Sequence, residues 1–330
     1  MARYLVTGGA GFIGSHLVEL LIADGHLVRV LDDLSSGRTE NLPRGVELVT
    51  ADVTEQRAVR RALSSVDGCF HLAAIASVER CRHEWLRSHE VNLAGTITVF
   101  EEACRAQKAL GRPIPVVYAS SAAVYGNTNE IPISEGSSTR PTNAYGVDKL
   151  GCDLHAAVAS RIHQLHTVGL RFFNVYGPRQ DPHSPYSGVI SVFCQRILRG
   201  APLDIHGDGT QVRDFVYVAD AVTALRRAMD TAAPAAQVFN VCTGIGTPIG
   251  RLGEIIAQIH DVPFLPQYAP SRVGDLHVSV GDPRKAREML KFSAETSLRQ
   301  GLARTIEAMM PRQTRAKASM PDRLMATTGD

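Results

Sequence analysis

Short apolar runs alternate with stretches of helical periodicity over the first half of the chain. The apolar runs cover residues 3–7, 27–31, 46–50, 69–74, 114–119 and 166–174. Most of the intervening stretches repeat apolar residues at the spacing of one helix face. Strands that alternate with helices form a parallel sheet covered by helices on both faces. The pattern therefore predicts a doubly wound α/β fold, and the apolar residues 238–241 predict a seventh strand in the same sheet.

The chain changes character after residue 174, where turn-forming residues become frequent. We expect this segment to lead into a smaller, C-terminal α/β domain. Because residues 238–241 rejoin the main sheet, the first domain is expected to span 1–174 plus about 216–245, and the second about 175–215 and 246–310. Residues 311–330 are polar and without apolar periodicity, which predicts a loosely held tail.

Length and composition narrow the functional class. The 330 residues are enough for about two domains. The 35 basic and 33 acidic residues form no basic stripe, so neither nucleic acid nor a membrane surface is an expected partner. The chain starts directly with a strand-like run and has no apolar run of membrane-spanning length. The 6 cysteines are scattered without a CxxC pair, so we predict a reduced, cytoplasmic protein with no metal site.

A glycine-rich loop lies between the first strand and the first helix. Gly8, Gly11 and Gly14 are three residues apart, and backbone N–H groups at a helix N-terminus can hold a pyrophosphate. Asp32, at the end of the second strand, can accept hydrogen bonds from both ribose hydroxyls, and its charge repels a 2′-phosphate. The unit predicts a Rossmann fold that binds NAD rather than NADP, although Arg38 in the next loop could accommodate that phosphate.

A tyrosine and a lysine, Tyr145 and Lys149, are four residues apart and therefore share one face of a helix. Residues 141–143 supply a break and capping groups. An apolar stripe follows at Leu150, Leu154, Val158 and Ile162. A phenol with its ordinary pKa near ~10 is a poor base, but the positive charges of a lysine and of an oxidised nicotinamide favour the phenolate. Alone, the pair would also fit an ordinary amphipathic helix.

Together these motifs resemble those of the extended short-chain dehydrogenases/reductases, and within them the UDP-glucose 4-epimerases. The resemblance extends from residue 4 to about residue 310. It rests on TGGAGFIGSH (7–16), SSAAVYG (120–126), YGVDK (145–149), RFFNVYGP (171–178), GDGTQVRDF (207–215), and the segments 32–37, 51–53, 71–74, 92–96 and 272–275.

The resemblance implies specific roles. Tyr145 would be the catalytic base, Lys149 its electrostatic partner, and Ser121 the residue that hydrogen-bonds the sugar 4-hydroxyl. The implied NAD-binding residues are Gly8, Gly11, Phe12, Ile13, Gly14, Asp32, Asp33, Ser36, Gly37, Asp52, Val53, Leu72, Ala73, Ala74, Tyr145, Lys149 and Phe173. The implied substrate-binding residues are Ser121, Asn174, Ser187, Gly188, Val189, Gln211, Arg213, Arg272, Asp275 and Ser279.

Three of these residues, Asn174, Arg213 and Arg272, are expected to hold the substrate diphosphate. Guanidinium groups match phosphate oxygens in bidentate fashion, which suits the two arginines. Asp214 and Asp275 are close in sequence, so solvated or ion-paired arginines remain the alternative.

The residues after Ser121 bear on the reaction. Related 4,6-dehydratases carry an Asp-Glu pair there and related decarboxylases a glutamate, whereas this chain has Ala122 and Ala123, which cannot move a proton. The resemblance therefore implies C4 epimerisation of a UDP-hexose through a transient 4-keto sugar, within galactose metabolism. A UDP-glucuronate 4-epimerase is a weaker alternative because such enzymes usually have threonine in place of Asn174. A non-catalytic sensor of NAD or nucleotide sugars is the alternative from another class.

The resemblance also bears on substrate size and assembly. The position beside the sugar falls on Ser279, and a small residue there implies that N-acetylated sugars are accepted as well. A register error would place His277 or Val278 there instead. By analogy with the family, a homodimer is expected through a four-helix bundle formed by residues 90–109 and 143–163.

Overall fold

The computed structural model describes residues 1–181, 188–271 and 276–310. The strands are β1 (Arg3–Thr7), β2 (Leu27–Asp32), β3 (Glu47–Thr50), β4 (Gly68–His71), β5 (Val116–Ser121), β6 (Thr167–Phe172), β7 (Asn174–Tyr176), β8 (Leu203–His206), β9 (Val212–Tyr217), β10 (Gln237–Val241), β11 (Gly246–Pro248), β12 (Pro266–Ala269) and β13 (Val278–Ser279). The helices are α1 (Phe12–Ala23), α2 (Gln56–Ala62), α3 (Val78–His83), α4 (Trp85–His89), α5 (Gly95–Leu110), α6 (Ala144–His163), α7 (Val189–Leu198), α8 (Val218–Thr231), α9 (Ile249–Ile259), α10 (Arg284–Met289) and α11 (Leu298–Met309).

Seven parallel strands form the main sheet in the order β10-β6-β5-β4-β1-β2-β3. Neighbouring residues of β1 face opposite sides, since Val6 packs with α1 and α8 in one apolar cluster and Leu5 with α2, α5 and α6 in another. The doubly wound Rossmann architecture is thus confirmed. The return of residues 238–241 as β10 beside β6 is confirmed as well.

A second sheet contains β7, β9, β11 and β13, and β8 pairs with β12 in a separate two-stranded sheet. A third apolar cluster joins these strands to α7, α9 and α11. β9 crosses the boundary predicted near residue 216, so the exact domain limits stay a prediction. The predicted tail, 311–330, lies outside the described residues.

Two predicted elements begin or end differently. The helix expected around 90–109 starts as a π-helical turn, Glu90–Ala94, before α5. In that turn the Asn92 side chain accepts from the Ile75 N–H at 2.8 Å and donates to the Ile75 carbonyl at 3.2 Å. The strand expected over 166–174 ends at Phe172, and Asn174 opens β7 in the second sheet. Both differences come from tertiary contacts that local periodicity does not encode.

α6 confirms the helix predicted from the apolar stripe, but most of that stripe faces outward. Leu154, Val158 and Ile162 are 61%, 55% and 64% exposed. The helix packs on the core through smaller residues instead, among them Cys152 and Ala156. An unpartnered apolar face on a helix is unusual for an isolated chain.

All 6 cysteines are free and buried. Burial raises the pKa of the Cys69, Cys194 and Cys242 thiols, so these groups stay protonated and unreactive. Among the helices of the described ranges, none has the length and apolar content needed to cross a membrane.

Candidate active site

The glycine loop lies against the carboxyl end of β4. Gly8 has a φ of +68°, and a Cβ there would be 2.7 Å from the Ala73 nitrogen. A Cβ on Gly14 would be 2.1 Å from the Gly8 carbonyl oxygen. By contrast, a Cβ on Gly11 would meet only that oxygen, at 3.2 Å. The fold itself therefore requires Gly8 and Gly14, whereas Gly11 leaves space beside the loop.

The N-terminus of α1 is open to an anion. Gly11 is its N-cap, and no side chain caps this end. The first-turn residues Phe12 and Ile13 are partly buried and pack toward the third apolar cluster. An uncapped helix N-terminus leaves N–H groups and a partial positive charge available for a phosphate.

Asp32 is buried at the end of β2. Its Oδ2 accepts from the Ala10 N–H and its Oδ1 from the Leu34 N–H, both at 2.9 Å. Burial raises the pKa of Asp32, and the two backbone hydrogen bonds oppose that effect. A Cβ on Gly37 would be 2.6 Å from Oδ1, so glycine lets the loop close over the carboxylate. Each oxygen keeps a lone pair, which suits two ribose hydroxyls.

Other residues of this loop are used differently. The Asp33 carboxylate accepts from the N–H and hydroxyl of Ser35 and so stabilises a turn. Ser36 is exposed. Arg38 is also exposed, and its Nη2 forms a 3.4 Å ion pair with Asp181. This ion pair gives the guanidinium a partner other than a 2′-phosphate, which favours NAD.

Asp52 and Val53 follow β3, at the edge expected for the adenine. Asp52 Oδ1 accepts from the N–H and hydroxyl of Thr54, both at 2.8 Å, and Oδ2 accepts from Arg87. Burial by itself would raise the pKa of Asp52. The hydrogen bonds from Thr54 and Arg87 have the larger combined effect and hold this pKa below its usual value. Val53 is buried beneath Gly95. Arg87, on α4, was absent from the predicted site because it lies 35 residues away in sequence.

The β4 end is fixed by a buried polar network. The Thr7 hydroxyl accepts from the N–H groups of residues 72 and 73, each at 3.2 Å, and is 2.7 Å from His71 Nδ1. His71 Nε2 is 2.9 Å from the Thr96 hydroxyl. Burial, aided by the charge of Lys149, lowers the pKa of His71 to about 3, so the imidazole is neutral near pH 7. The segment 72–74 is thereby held at the cofactor groove.

The two helical residues predicted for catalysis lie in the first half of α6, and one of them contacts β5. The Asn143 side chain caps α6 by accepting from the Gly146 N–H at 2.8 Å, which fixes Tyr145 in the first turn. Lys149 is buried, and its Nζ donates to the Ala119 carbonyl at 2.7 Å and lies 5.8 Å from the centroid of the Tyr145 ring. One turn of helix thus carries a phenol and an ammonium group side by side.

Two serines end β5 and face different environments. Ser120 is buried, and its hydroxyl has no hydrogen-bond partner in the described ranges. Ser121 is partly exposed, and its Oγ accepts from the Ala123 N–H at 3.1 Å at the start of a 3₁₀ turn, Ala122–Val124. A hydroxyl that accepts one bond can still donate another, so Ser121 is the serine available to a ligand.

The second sheet carries most of the predicted substrate residues. Arg213 on β9 lies beside Ser279 on β13, and Asn174 on β7 lies beside Phe215. Asn174 is exposed, Arg213 is partly buried and Ser279 is buried. Arg213 Nη1 donates to the Val212 carbonyl at 2.9 Å. The strand order thus brings three predicted residues to one sheet.

The remaining predicted residues lie around it. Gly188 is the exposed N-cap of α7, and Val189, its first residue, is partly buried. Phe173 is buried directly after β6. Ser187, Arg272 and Asp275 lie outside the described residues. Their predicted contacts with the substrate stay predictions.

Asp214 has a structural part in this sheet. Its carboxylate accepts from the N–H groups of Thr243, Gly244 and Gly281 at 2.8, 2.9 and 3.3 Å. Burial raises the pKa of Asp214, and these bonds oppose that effect. The carboxylate joins three segments around β9 and holds the neighbouring Arg213 in register.

A cleft of about 730 Å³ adjoins β9. It is lined by Gly207, Asp208, Thr210, Gln211, Tyr268, Ala269, Pro270, Ser271 and His277. The buried Gln211 donates from Nε2 to the His206 carbonyl at 2.7 Å, while its Oε1 has no partner within the described ranges. Among the predicted substrate residues that the structure describes, Gln211 alone lines this cleft, together with His277, the alternative to Ser279. The aromatic Tyr268 was missed because nothing in its local sequence distinguishes it.

Residues 4–242 match the model of the NAD dependent epimerase/dehydratase family. The chain belongs to this family. It is 39% identical to the UDP-glucose 4-epimerase of Mycolicibacterium smegmatis over 92% of this chain and 97% of that protein. It is also 31% identical to the UDP-N-acetyl-alpha-D-glucosaminuronate decarboxylase of Bacillus cytotoxicus, over 92% and 97% of the two chains.

Solved structures of UDP-sugar 4-epimerases are also similar to this chain. The UDP-glucose 4-epimerase of Thermotoga maritima, crystallised with UDP-glucose, has a TM-score of 0.89 and 37% identity, over 94% of this chain and 99% of that one. The UDP-N-acetylglucosamine 4-epimerase of Methanobrevibacter ruminantium, in complex with UDP-N-acetylmuramic acid, has a TM-score of 0.87 and 33% identity, over 97% and 99%. The chain is thus an NAD-dependent enzyme of the epimerase/dehydratase family, and its uncapped α1 and Asp32 fit that cofactor.

Proposed function

We propose that this enzyme catalyses C4 epimerisation of a UDP-hexose, interconverting UDP-glucose and UDP-galactose. The observation that carries the proposal is that Lys149 reaches the Ala119 carbonyl of β5 and lies 5.8 Å from the Tyr145 ring, while Ser121 ends the same strand and is followed by two alanines. This constellation supplies one base with its electrostatic partner and no second acid or base.

Each chain residue has a defined part in the proposed mechanism. Tyr145, as phenolate, accepts the proton of the sugar 4-hydroxyl, and the buried charge of Lys149 favours that phenolate. Ser121 donates its free hydroxyl proton toward the sugar oxygen. The α1 N-terminus and Asp32 would hold NAD, which would supply an acceptor and donor for the C4 hydride. Arg213 anchors the diphosphate so that the 4-keto sugar can turn and present its opposite face.

The alanines distinguish this reaction from those of relatives. Ala122 and Ala123 form the 3₁₀ turn that directly follows Ser121, at the edge where the sugar would lie. Dehydration or decarboxylation needs a further proton donor or acceptor near C5 and C6. Because an alanine offers neither, these residues favour epimerisation over the decarboxylation named for the Bacillus relative.

Ser279 supports a wide sugar pocket. It is small and lies beside Arg213 in the parallel pair of β13 and β9. We infer that it leaves room for a 2-N-acetyl group, so that UDP-N-acetylglucosamine is also a substrate.

Two further features support the predicted assembly and compartment. The exposed apolar residues of α6 offer a face for a second copy, which favours a homodimer through α5 and α6. Sedimentation of Ile162→Glu against the parent chain tests this, with a monomer expected for the variant. The 6 buried, unpaired cysteines fit a reducing, cytoplasmic compartment.

The decisive experiment is incubation of the purified protein with UDP-galactose and no added NAD. Formation of UDP-glucose supports the epimerase, because the cofactor is regenerated in each turnover and stays bound. A protein that binds NAD but leaves every tested UDP-sugar unchanged would instead be a sensor. Release of carbon dioxide from UDP-glucuronate would identify a decarboxylase.

A further inference from the structure

A buried acid lies one residue before the proposed catalytic lysine. The side chain of Asp148 is only 2% exposed, and its Oδ1 is 2.8 Å from Nδ1 of His89, whose side chain is 48% exposed. Asp148 Oδ2 is buried and has no hydrogen-bond partner in the described part of the chain. A buried carboxylate with one half-exposed partner keeps much of its negative field.

This acid shares its surroundings with Lys149. Burial is the main reason that the pKa values of the Cys81 and Cys152 thiols are raised. For both thiols the charge of Asp148 adds to the rise and the charge of Lys149 opposes it. Both charges therefore act on the same two thiols, and both side chains are buried, Asp148 against His89 of α4 and Lys149 against Ala119 of β5.

Lys149 lacks a carboxylate partner of its own. Its buried Nζ donates to the Ala119 carbonyl at 2.7 Å, and in the ranges that the structure describes no acidic group lies within ion-pair distance of it. Asp148, the adjacent residue on the same helix, is thus buried close to Lys149 in sequence but is not ion-paired with it.

We propose that Asp148, held by His89, is a positioning residue that weakens the field of Lys149 and so sets the pH range in which Tyr145 works as a base. The proposal rests on the proposed function, in which Tyr145 is the base. Facing Asp148 are His89 from α4, Cys81 from α3, and Lys149 and Cys152 from α6.

The physical effect has a definite sign. A negative charge near a phenol disfavours the phenolate, so removing it lets the phenol ionise at lower pH. A unit charge ~10 Å away at an effective dielectric constant of ~20 moves a titration by about one pH unit.

The test is a titration of Tyr145 in the substrate-free protein, followed by the ultraviolet absorbance of the phenolate. For each variant, the same chain carrying Tyr145→Phe is subtracted to isolate this residue. Asp148→Asn is expected to lower the midpoint by about one pH unit, and the acidic limb of kcat should move with it. Asp148→Ser, which also removes the charge, is expected to lower the midpoint to a similar extent.

His83→Gln is the matched control, because it removes a similar pair, His83 with Glu79 at 3.0 Å, from the exposed surface of α3. It should leave the midpoint where it is. An unchanged midpoint in Asp148→Asn, with only a lower melting temperature, would show that Asp148 is purely structural. If that variant does not fold, an unchanged midpoint in Asp148→Ser overturns the proposal. Failure of the proposed function would be a different result, because the parent chain itself would then fold but turn over no UDP-sugar.

Discussion

The cofactor edge of the main sheet and the second sheet differ in how their polar groups are satisfied. At the cofactor edge, both Asp32 oxygens accept from backbone N–H groups, and the Thr7 hydroxyl accepts from two more. In the second sheet, Asn174 is exposed and the Oε1 of Gln211 is buried without a partner in the described ranges. The cofactor edge is thus shaped before any ligand binds, whereas the second sheet keeps hydrogen-bonding capacity for one.

The difference has a consequence for function. A preformed groove loses little freedom when a cofactor binds, which favours tight retention. Side chains with an unpaired hydrogen-bonding group are satisfied only by a ligand that pairs with it, which favours selection of one substrate over another. We therefore expect substitutions at the two regions to affect different measurements.

The largest expected effect comes from Tyr145→Phe, at the point where the two regions meet. Removal of the phenolic oxygen should lower kcat by about 10³-fold, since general-base catalysis contributes on that order. NAD content should change little, because the glycine loop and Asp32 are intact and Tyr145 is one of many implied NAD contacts. Turnover of UDP-galactose and the NAD released on denaturation measure the two quantities.

Tyr4→Phe is the matched control, because Tyr4 lies in β1 at the opposite end of the sheet from the glycine loop. It should keep full activity. If the Tyr145→Phe enzyme kept the native kcat, Tyr145 would not be the catalytic base.

A pair of glycine substitutions tests whether the cofactor edge is preformed. Gly14→Ala forces a Cβ to 2.1 Å from the Gly8 carbonyl and should lower the free energy of unfolding by about 3 kcal/mol. Gly11→Ala places its Cβ 3.2 Å from the same oxygen and should reduce NAD content with little loss of stability. Chemical denaturation without added cofactor measures the first effect. Equal destabilisation by both substitutions would contradict the distinction.

The cofactor edge also predicts a pH dependence of stability. The pKa of His71 falls from its usual 6.5 to about 3 because of burial, so the unfolded chain binds this proton more readily than the folded one. Stability is therefore lost as the pH falls from about 6.5 toward 3, and between pH 6.5 and 5 the loss should be about 1.5 kcal/mol.

Denaturant unfolding of the parent and of His71→Gln at both pH values measures that loss. The free energy of unfolding of the variant should change less between the two pH values than that of the parent, whatever its absolute stability. The exposed His83→Gln should keep the parent slope, and a parent slope in His71→Gln would show that another group is responsible.

The sequence revealed the features that depend on neighbours along the chain. Strand and helix periodicity gave the main sheet, and the spacing of Tyr145 and Lys149 gave one helix face, because such patterns repeat over a few residues. The turn that precedes α5 and the pairs of Arg87 with Asp52 and of His89 with Asp148 were not predictable. The two ion pairs join residues 35 and 59 positions apart, and the turn is held by Ile75, 17 positions before Asn92, so only tertiary packing brings these groups together.

The outward-facing apolar stripe of α6 is another feature whose surroundings could not be predicted from the sequence. Its periodicity predicts a helix, but periodicity alone does not say whether an apolar face covers the core of its own chain or a second copy. The core-facing side of α6 instead consists of small residues such as Ala156, which carry a weaker hydrophobic signal.

The smallest expected effect, Ser279→Tyr, sharpens the comparison at the second sheet. Ser279 is buried beside Arg213, so a phenol there would occupy space next to the proposed sugar site without touching the cofactor edge. We expect kcat/KM for UDP-N-acetylglucosamine to fall about 10-fold or more, while UDP-glucose turnover and NAD content change little, since a clash with one substituent is worth about 1–3 kcal/mol. Ser279→Ala, which keeps the pocket wide, should retain both activities. Equal loss of both activities in Ser279→Tyr would mean that residue 279 supports the sheet rather than bounding the pocket, and His277 and Val278 would then be the positions to substitute.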